Sequence, residues 1–110
     1  MRQETPKEIL ILDKAKERLI TRGWIKGTEE SVDGICLGYA LNISCDEILG
    51  EDGRLSPIGK SIWKTVASKT QQDNVVSFND ADDTTLNDVF DVIAEARKVY
   101  LTQALQTVDA

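Results

Sequence analysis

The sequence contains no histidine in 110 residues and only two cysteines, Cys36 and Cys45. Histidine is the most frequent general acid or base in enzymes, so the usual proton-transfer group is missing. The cysteines do not match a zinc-ligand spacing, and the serines have no nucleophile-elbow context. The default interpretation is two free thiols on an apolar face, with a disulfide, a reactive thiol or a metal ligand as the alternatives. We therefore expect no catalysis, no bound metal and no cofactor.

Long apolar runs are also missing. No stretch approaches the ~18 consecutive apolar residues of a membrane-spanning helix. Residues 1–6, Met-Arg-Gln-Glu-Thr-Pro, have no apolar core of the kind that signal peptides carry. These two observations predict a protein of the cytoplasm that does not associate with membranes.

Positive charge is in deficit, because 13 Lys and Arg residues face 19 Asp and Glu residues for a net charge of −6. This balance disfavours direct binding to nucleic-acid backbones and to anionic membrane surfaces. An acidic surface is most simply a solvated surface. It is also compatible with a basic protein partner, or with mimicry of a nucleic acid at another protein's basic site.

Helical patterns dominate what is present. They predict one all-α domain over residues 1–110, with a core over residues 5–105 and about four helices. Thr5-Pro6 and Ser56-Pro57 are start signals, and Thr85 with Asp88 is a variant capping box. The last helix carries the longest apolar stripe, so we expect the other elements to pack against it.

Three segments are less regular. Gly23 is predicted to end the first helix, with Trp24 folding back onto its last turn as part of the core. Residues 25–34 are predicted to form an exposed loop. Residues 35–43 fit either a strand or a helix, and the unbroken length to residue 49 favours a helix in which Gly38 permits a close neighbouring backbone. Residues 75–78, Val-Val-Ser-Phe, are predicted to be a short extended piece before the last helix.

Three local patterns occur in a characteristic order. They are Gly23-Trp24-x-x-Gly27, then Gly-Ile-Cys-Leu-Gly-Tyr-Ala-Leu at residues 34–41, then Phe78-Asn79-Asp80 followed by Thr85 and Val89. In this order they resemble an uncharacterised family of small bacterial and phage proteins. Asp82, Asp83 and Thr84 depart from it, since such proteins often carry Pro-Gly-Arg there. The resemblance implies fold and membership, but no activity, substrate or cofactor.

Asn79-Asp80 is the best candidate for a site, and two interpretations of it are open. Both side chains readily accept hydrogen bonds from nearby backbone N–H groups, which would close a turn ahead of the last helix. Alternatively, the pair faces a pocket and binds a ligand or a partner. The candidate interaction or structural residues are Trp24, Phe78, Asn79, Asp80, Asp82, Asp83 and Thr85.

The leading hypothesis is a non-catalytic protein–protein interaction module of bacterial or phage origin. Its candidate surface is the acidic loop 80–83 with the start of the last helix, joined by Glu29, Glu30 and Asp33. One alternative is an acidic nucleic-acid mimic, and another is a small ligand-binding protein or enzyme that uses the Asn79-Asp80 loop. A protein partner is expected, and the sequence leaves a homodimer open.

Overall fold

The computed structural model describes residues 5–108 and confirms the prediction of an all-α fold. Its described residues form five α-helices rather than about four, together with a very small hairpin and one 3-10 turn. In chain order the elements are α1 (Lys7–Arg22), β1 (Glu30–Ser31), β2 (Gly34–Ile35), α2 (Leu37–Leu49), the 3-10 turn (Gly53–Leu55), α3 (Pro57–Lys69), α4 (Val75–Asp80) and α5 (Leu86–Val108).

The centre of the fold is the pair α1 and α3, which contact each other and each contact α2 and α5. The stripe predicted on α5 is buried at Val89, Ile93, Ala96 and Tyr100. However, α5 is not the helix around which the rest is organised, since α2 contacts mainly α1 and the 3-10 turn, and α4 contacts α2 and α3. Helix α1 contacts α2, α3 and α5 at once, and this gives α1 its central place.

Two of the three helix-start signals are confirmed. Ser56 Oγ accepts a hydrogen bond from Gly59 N at 3.1 Å, with Pro57 in the first helical position. Thr85 and Asp88 form a reciprocal capping box, with backbone-to-side-chain distances of 2.9 and 3.2 Å.

The predicted Thr5 cap is wrong. Helix α1 begins one residue later than predicted, at Lys7, and Pro6 takes the N-cap position with no side-chain cap. The extended backbone of Pro6 (ψ 145°) places its carbonyl to accept the N–H groups of Ile9 and Leu10.

The loop predicted at residues 25–34 contains an antiparallel hairpin, in which Glu30 pairs with Ile35 and Ser31 pairs with Gly34. Ile35 also exchanges backbone hydrogen bonds with the chain after α1, since its N–H donates to Gly23 O at 2.9 Å. A Cβ on Gly34 would lie 2.5 Å from Gly23 O, so only glycine permits this approach. The helix predicted over residues 35–43 therefore starts at Leu37, after Ile35 in strand β2 and Cys36 in an extended N-cap conformation.

The extended segment predicted at residues 75–78 is wrong, because these residues open helix α4. Asn74 caps this helix, with its Oδ1 accepting from Ser77 N at 3.0 Å. Val75 and Phe78, three residues apart, then fall on one buried face. The cap and this burial outweigh the β preference of Val75 and Val76.

Candidate functional site

The side chain of Asn79 joins three segments of the chain from the last turn of α4. It is 1% exposed. Its Oδ1 accepts from Trp24 Nε1 at 2.6 Å and from Leu37 N at 2.9 Å. Its Nδ2 donates to Ile25 O at 3.1 Å and to Asp80 Oδ1 at 2.9 Å. All four hydrogen-bonding positions of the amide are used within the protein.

Asp80 extends this network to the surface. Its Oδ1 accepts from Gly27 N at 2.9 Å. That bond and the one from Asn79 lower the pKa of the Asp80 carboxyl against a smaller opposing effect of desolvation, and the charge of Lys26 adds to the lowering. Lys26 Nζ in turn donates to the carbonyl oxygen of Ala81. The loop after α1 is thereby fixed onto the end of α4.

These contacts favour the structural interpretation of Asn79-Asp80. The predicted local turn ahead of α5 is not what these bonds form. They reach back instead to residues 24–37. Trp24 is part of the network, because its indole N–H is the donor to Asn79. The structure shows a long-range clip that holds α4, the start of α2 and the loop after α1 together.

Two adjoining clefts lie beside this clip. The first, the Asp80 cleft, encloses about 220 Å³, and the second, the Lys64 cleft, encloses about 310 Å³. Both are lined by Asn42 and Trp63, and we call the two together the Trp63 groove. The Asp80 cleft is also lined by Glu29, Cys36, Tyr39, Val76, Asn79 and Asp80, and the Lys64 cleft by Arg54, Leu55, Lys60 and Lys64.

Gly38 explains how the indole of Trp63 reaches the floor of the groove. A Cβ on Gly38 would lie 2.9 Å from Trp63 Cη2, closer than a Cβ approaches other atoms in proteins. The close neighbour predicted for Gly38 is therefore an aromatic ring of α3 and not a backbone. Val76 and Leu55, at 53% and 63% exposed, add apolar surface in the two clefts.

The charges at the two ends of the groove have opposite signs. Glu29 and Asp80 line the Asp80 cleft, whereas Arg54, Lys60 and Lys64 line the Lys64 cleft. Arg54 is already paired, because its Nε and Nη2 donate to Asp46 Oδ2 at 3.0 and 2.7 Å. Lys60 and Lys64 are exposed, and neither forms an ion pair with any residue in the described part of the chain.

A larger cleft of about 450 Å³, the Thr84 cleft, lies between the end of α3 and the start of α5. Its walls are mostly polar, and they include Gln71, Gln72 and Asp83. Apolar side chains reach it only at Phe78 and Val92, both buried. Large volume is thus combined with little accessible apolar surface.

The predicted site residues are divided between these places. Asn79 and Asp80 line the Trp63 groove, and Phe78 and Asp83 line the Thr84 cleft. Trp24 and Asp82 line neither, and Thr85 caps α5.

Three acidic residues were predicted to belong to the candidate surface, and one of them, Glu29, lines the groove. Glu30 is engaged by Arg22 and by the Tyr39 hydroxyl, which lower the pKa of its carboxyl against a smaller effect of desolvation. Asp33 is exposed and lines none of the three clefts.

Sequence reasoning missed the residues that make the groove. The candidate site residues did not include Trp63, Tyr39, Val76 or Lys64. The one signal in the sequence was Gly38 inside a helix, which indicates a close neighbour but does not identify it. Only the packing of α2 against α3 brings Gly38 and Trp63 together.

Both cysteines are free thiols, as the default interpretation held. Cys36 is the N-cap of α2, and its Sγ accepts from Tyr39 N at 3.3 Å. Burial raises the pKa of the Cys36 thiol and raises that of Cys45 to about 11.

Within residues 5–108 no cluster of three or more Cys, Asp or Glu side chains is arranged to hold a metal ion. None of the helices described is both long and apolar enough to cross a membrane.

The chain belongs to a family of unknown function, DUF6197, which matches residues 1–99. The resemblance to an uncharacterised family is thereby confirmed. Neither a curated protein nor a solved structure matches the chain.

Proposed function

We propose that this protein is a non-catalytic protein–protein interaction module that binds a short segment of a partner protein in the Trp63 groove. The observation that supports it best is the composition of the groove. An apolar floor with partly exposed Trp63, Val76 and Leu55 lies between two ends of opposite charge. Binding grooves combine such a floor, which supplies affinity, with a few polar groups that fix orientation.

Trp63 is the expected anchor of binding. Its indole is held by the helix behind it, so a partner that covers it does not have to order a flexible side chain. Tryptophan is also among the residues that most often contribute ~2 kcal/mol or more at protein interfaces. The floor therefore has a rigid centre with additional apolar surface at Val76 and Leu55.

The Thr84 cleft is the less suitable surface, although it is larger than either cleft of the groove. Its apolar side chains, Phe78 and Val92, are at most 9% exposed, so a partner would gain little by covering them. Its acids include Asp88, which is already engaged in the capping box of α5. Volume without exposed apolar surface contributes little affinity.

Two features support the non-catalytic part of the proposal. The chain has no histidine, and burial raises the pKa of the thiol of Cys36, which lines the groove, and so disfavours the reactive thiolate. The amide of Asn79 is fully used within the protein, which also weakens the alternative of a ligand site at Asn79-Asp80.

The experiment is an affinity capture from the lysate of the native source with three baits: the wild type, Val76→Asp and the control Ile20→Asp. Val76 and Ile20 are both exposed apolar side chains on helices, and Ile20 lines neither the groove nor the Thr84 cleft. We expect a protein that is captured by the wild type and by Ile20→Asp but lost with Val76→Asp. Equal capture by all three baits, or no capture, would contradict the proposal.

Repeating the capture at low and high salt separates this proposal from acidic mimicry. Asp83, Asp88 and Asp91 share the wall of the Thr84 cleft, and that arrangement is what favours mimicry. Binding through exposed charge collapses as salt rises, whereas binding through an apolar floor persists. A partner that is lost at high salt and is insensitive to Val76→Asp would support the mimic.

A further inference from the structure

Resting on the proposed function, we infer that the Trp63 groove recognises a bipolar segment of its partner. Such a segment carries a basic residue at one end, an apolar residue in the middle and an acidic residue at the other end. The groove would then select both the sequence of the segment and the direction in which it lies. The inference depends on the order of the three surfaces along the groove: carboxylates, indole, ammonium groups.

The acidic end is built to receive a cation. The hydrogen bonds from Gly27 N and Asn79 Nδ2 keep Asp80 ionised. Glu29 lines the same cleft, is exposed, and forms no ion pair with the described residues. The ring of Tyr39 lines the same cleft, and aromatic faces attract ammonium and guanidinium groups. A Lys or Arg side chain fits this combination of carboxylates and an aromatic ring.

The basic end is built to receive an anion. Lys60 and Lys64 lie one turn apart on α3 and both line the Lys64 cleft, so their ammonium groups can approach one carboxylate from the same side. Arg54 already has a carboxylate partner in Asp46 and needs no second one. Lys60 and Lys64 lie beside an apolar floor and have no acidic partner among the described residues, so their charges are free to meet an acidic side chain of the partner.

Trp63 sets the order of the two charges, because it lines both clefts. A segment whose apolar residue covers the indole therefore places one flank over each cleft. With the charges reversed, its basic residue would meet Lys60 and Lys64 and its acidic residue would meet Asp80 and Glu29. Such like-charge contacts discriminate strongly against the wrong orientation.

The test is selection of a displayed library of random short peptides on the full-length protein, with removal of peptides that also bind Val76→Asp. We expect the retained peptides to share a basic, an apolar and an acidic position in that order, in one chain direction. Retained peptides without this charge order would overturn the inference and leave the proposed function standing. A selection that retains no Val76-dependent peptide would overturn both.

Charge reversal in the protein provides a second readout. Glu29→Lys and Lys64→Glu change exposed side chains only, so the fold is expected to be unaffected. Each should weaken the best peptide by about tenfold, and reversing the matching charge in the peptide should restore most of the loss. The matched controls are Glu95→Lys and Lys98→Glu, two exposed residues of α5 outside the groove. Equal losses with the controls, or no rescue by the reversed peptide, would contradict the inference.

Discussion

The Trp63 groove and the Thr84 cleft flank the short helix α4, and they differ in what their floors expose. The Thr84 cleft, of about 450 Å³, has a polar wall and a buried apolar floor. The groove leaves Trp63, Val76 and Leu55 partly open between opposite charges. Both depend on α4, because Phe78 lines one and Val76 the other. The comparison shows that accessible apolar surface is what distinguishes the candidate binding surface in this protein.

The largest expected effect comes from removing the clip that holds α4 against both surfaces. Asn79→Ala leaves the indole N–H of Trp24 and the backbone N–H of Leu37 without their acceptor in the interior. We expect the free energy of unfolding to fall by about 3 kcal/mol, since each unsatisfied buried group costs ~1–3 kcal/mol. Urea denaturation of the variant and the wild type measures this loss in the free energy of unfolding.

The control for Asn79→Ala is Asn87→Ala, which alters an exposed asparagine of α5. Its effect should stay within about 0.5 kcal/mol. Similar losses in the two variants would show that the clip is not what holds α4 in place.

The next effect concerns the groove alone. Gly38→Ala normally stabilises a helix by ~1 kcal/mol, but here the new Cβ meets the Trp63 ring. Overpacking costs ~1–3 kcal/mol, so we expect a net loss of about 1 kcal/mol. In a Trp63→Leu background the ring is absent, and the same change should stabilise the protein. Urea unfolding of the four proteins in this double-mutant cycle measures the coupling. Stabilisation of the wild type by Gly38→Ala would contradict the proposed contact.

A change on the other side of α4 should affect stability but not binding. Asp88→Ala removes half of the capping box of α5, and we expect a loss of about 1 kcal/mol. Because Asp88 lines the Thr84 cleft and not the groove, affinity for a selected peptide should be unchanged. Calorimetric titration measures this affinity. A large loss in Asp88→Ala would indicate that the peptide binds in the Thr84 cleft, and would contradict binding in the groove.

The smallest effect is a pH dependence at the acidic end of the groove. The folded protein lowers the pKa of Asp80, so the ionised carboxylate stabilises the fold at neutral pH. This contribution is present above the ordinary aspartate pKa of about 3.9 and is lost as the pH falls through the lower folded value. Asp80→Asn should therefore be less stable than the wild type at pH 7, by less than about 1 kcal/mol because the group is exposed.

Urea titrations of the wild type and Asp80→Asn at pH 7 and at successively lower pH test this sign. The difference in stability between the two proteins should shrink as the pH falls below about 4. A stability difference between the two proteins that stays constant or grows at low pH would contradict a stabilising role of the ionised Asp80 carboxylate.

Local signals in the sequence were enough to predict the long helices and two of their caps. Ser56-Pro57 and Thr85 with Asp88 act within one helical turn. Their capping interactions can therefore be predicted without knowledge of the fold. Residues 75–78 were mispredicted because their β-branched residues were considered without the competing signal, the Asn74 cap. Short apolar segments of this kind are decided by which face the rest of the fold buries.

The clip and the groove differ in how far they could be predicted. Asn79 and Asp80 were identified because their side chains readily accept hydrogen bonds, from backbone N–H groups or from a ligand or partner. Their partners, Trp24, Leu37 and Gly27, lie 42 to 55 positions away and could not be assigned without the fold. The groove could not be predicted at all, since it arises where α2, α3 and α4 meet.

The most direct test of the groove is two-dimensional NMR of the isotopically labelled protein, titrated with a peptide selected as described above. We predict that the signals of Asn42, Trp63 and Val76 shift or broaden most on binding, while those of Asp83 and Asp91 in the Thr84 cleft hardly change. The largest changes at Asp83 and Asp91, with Trp63 unaffected, would contradict the assignment of the Trp63 groove as the binding surface.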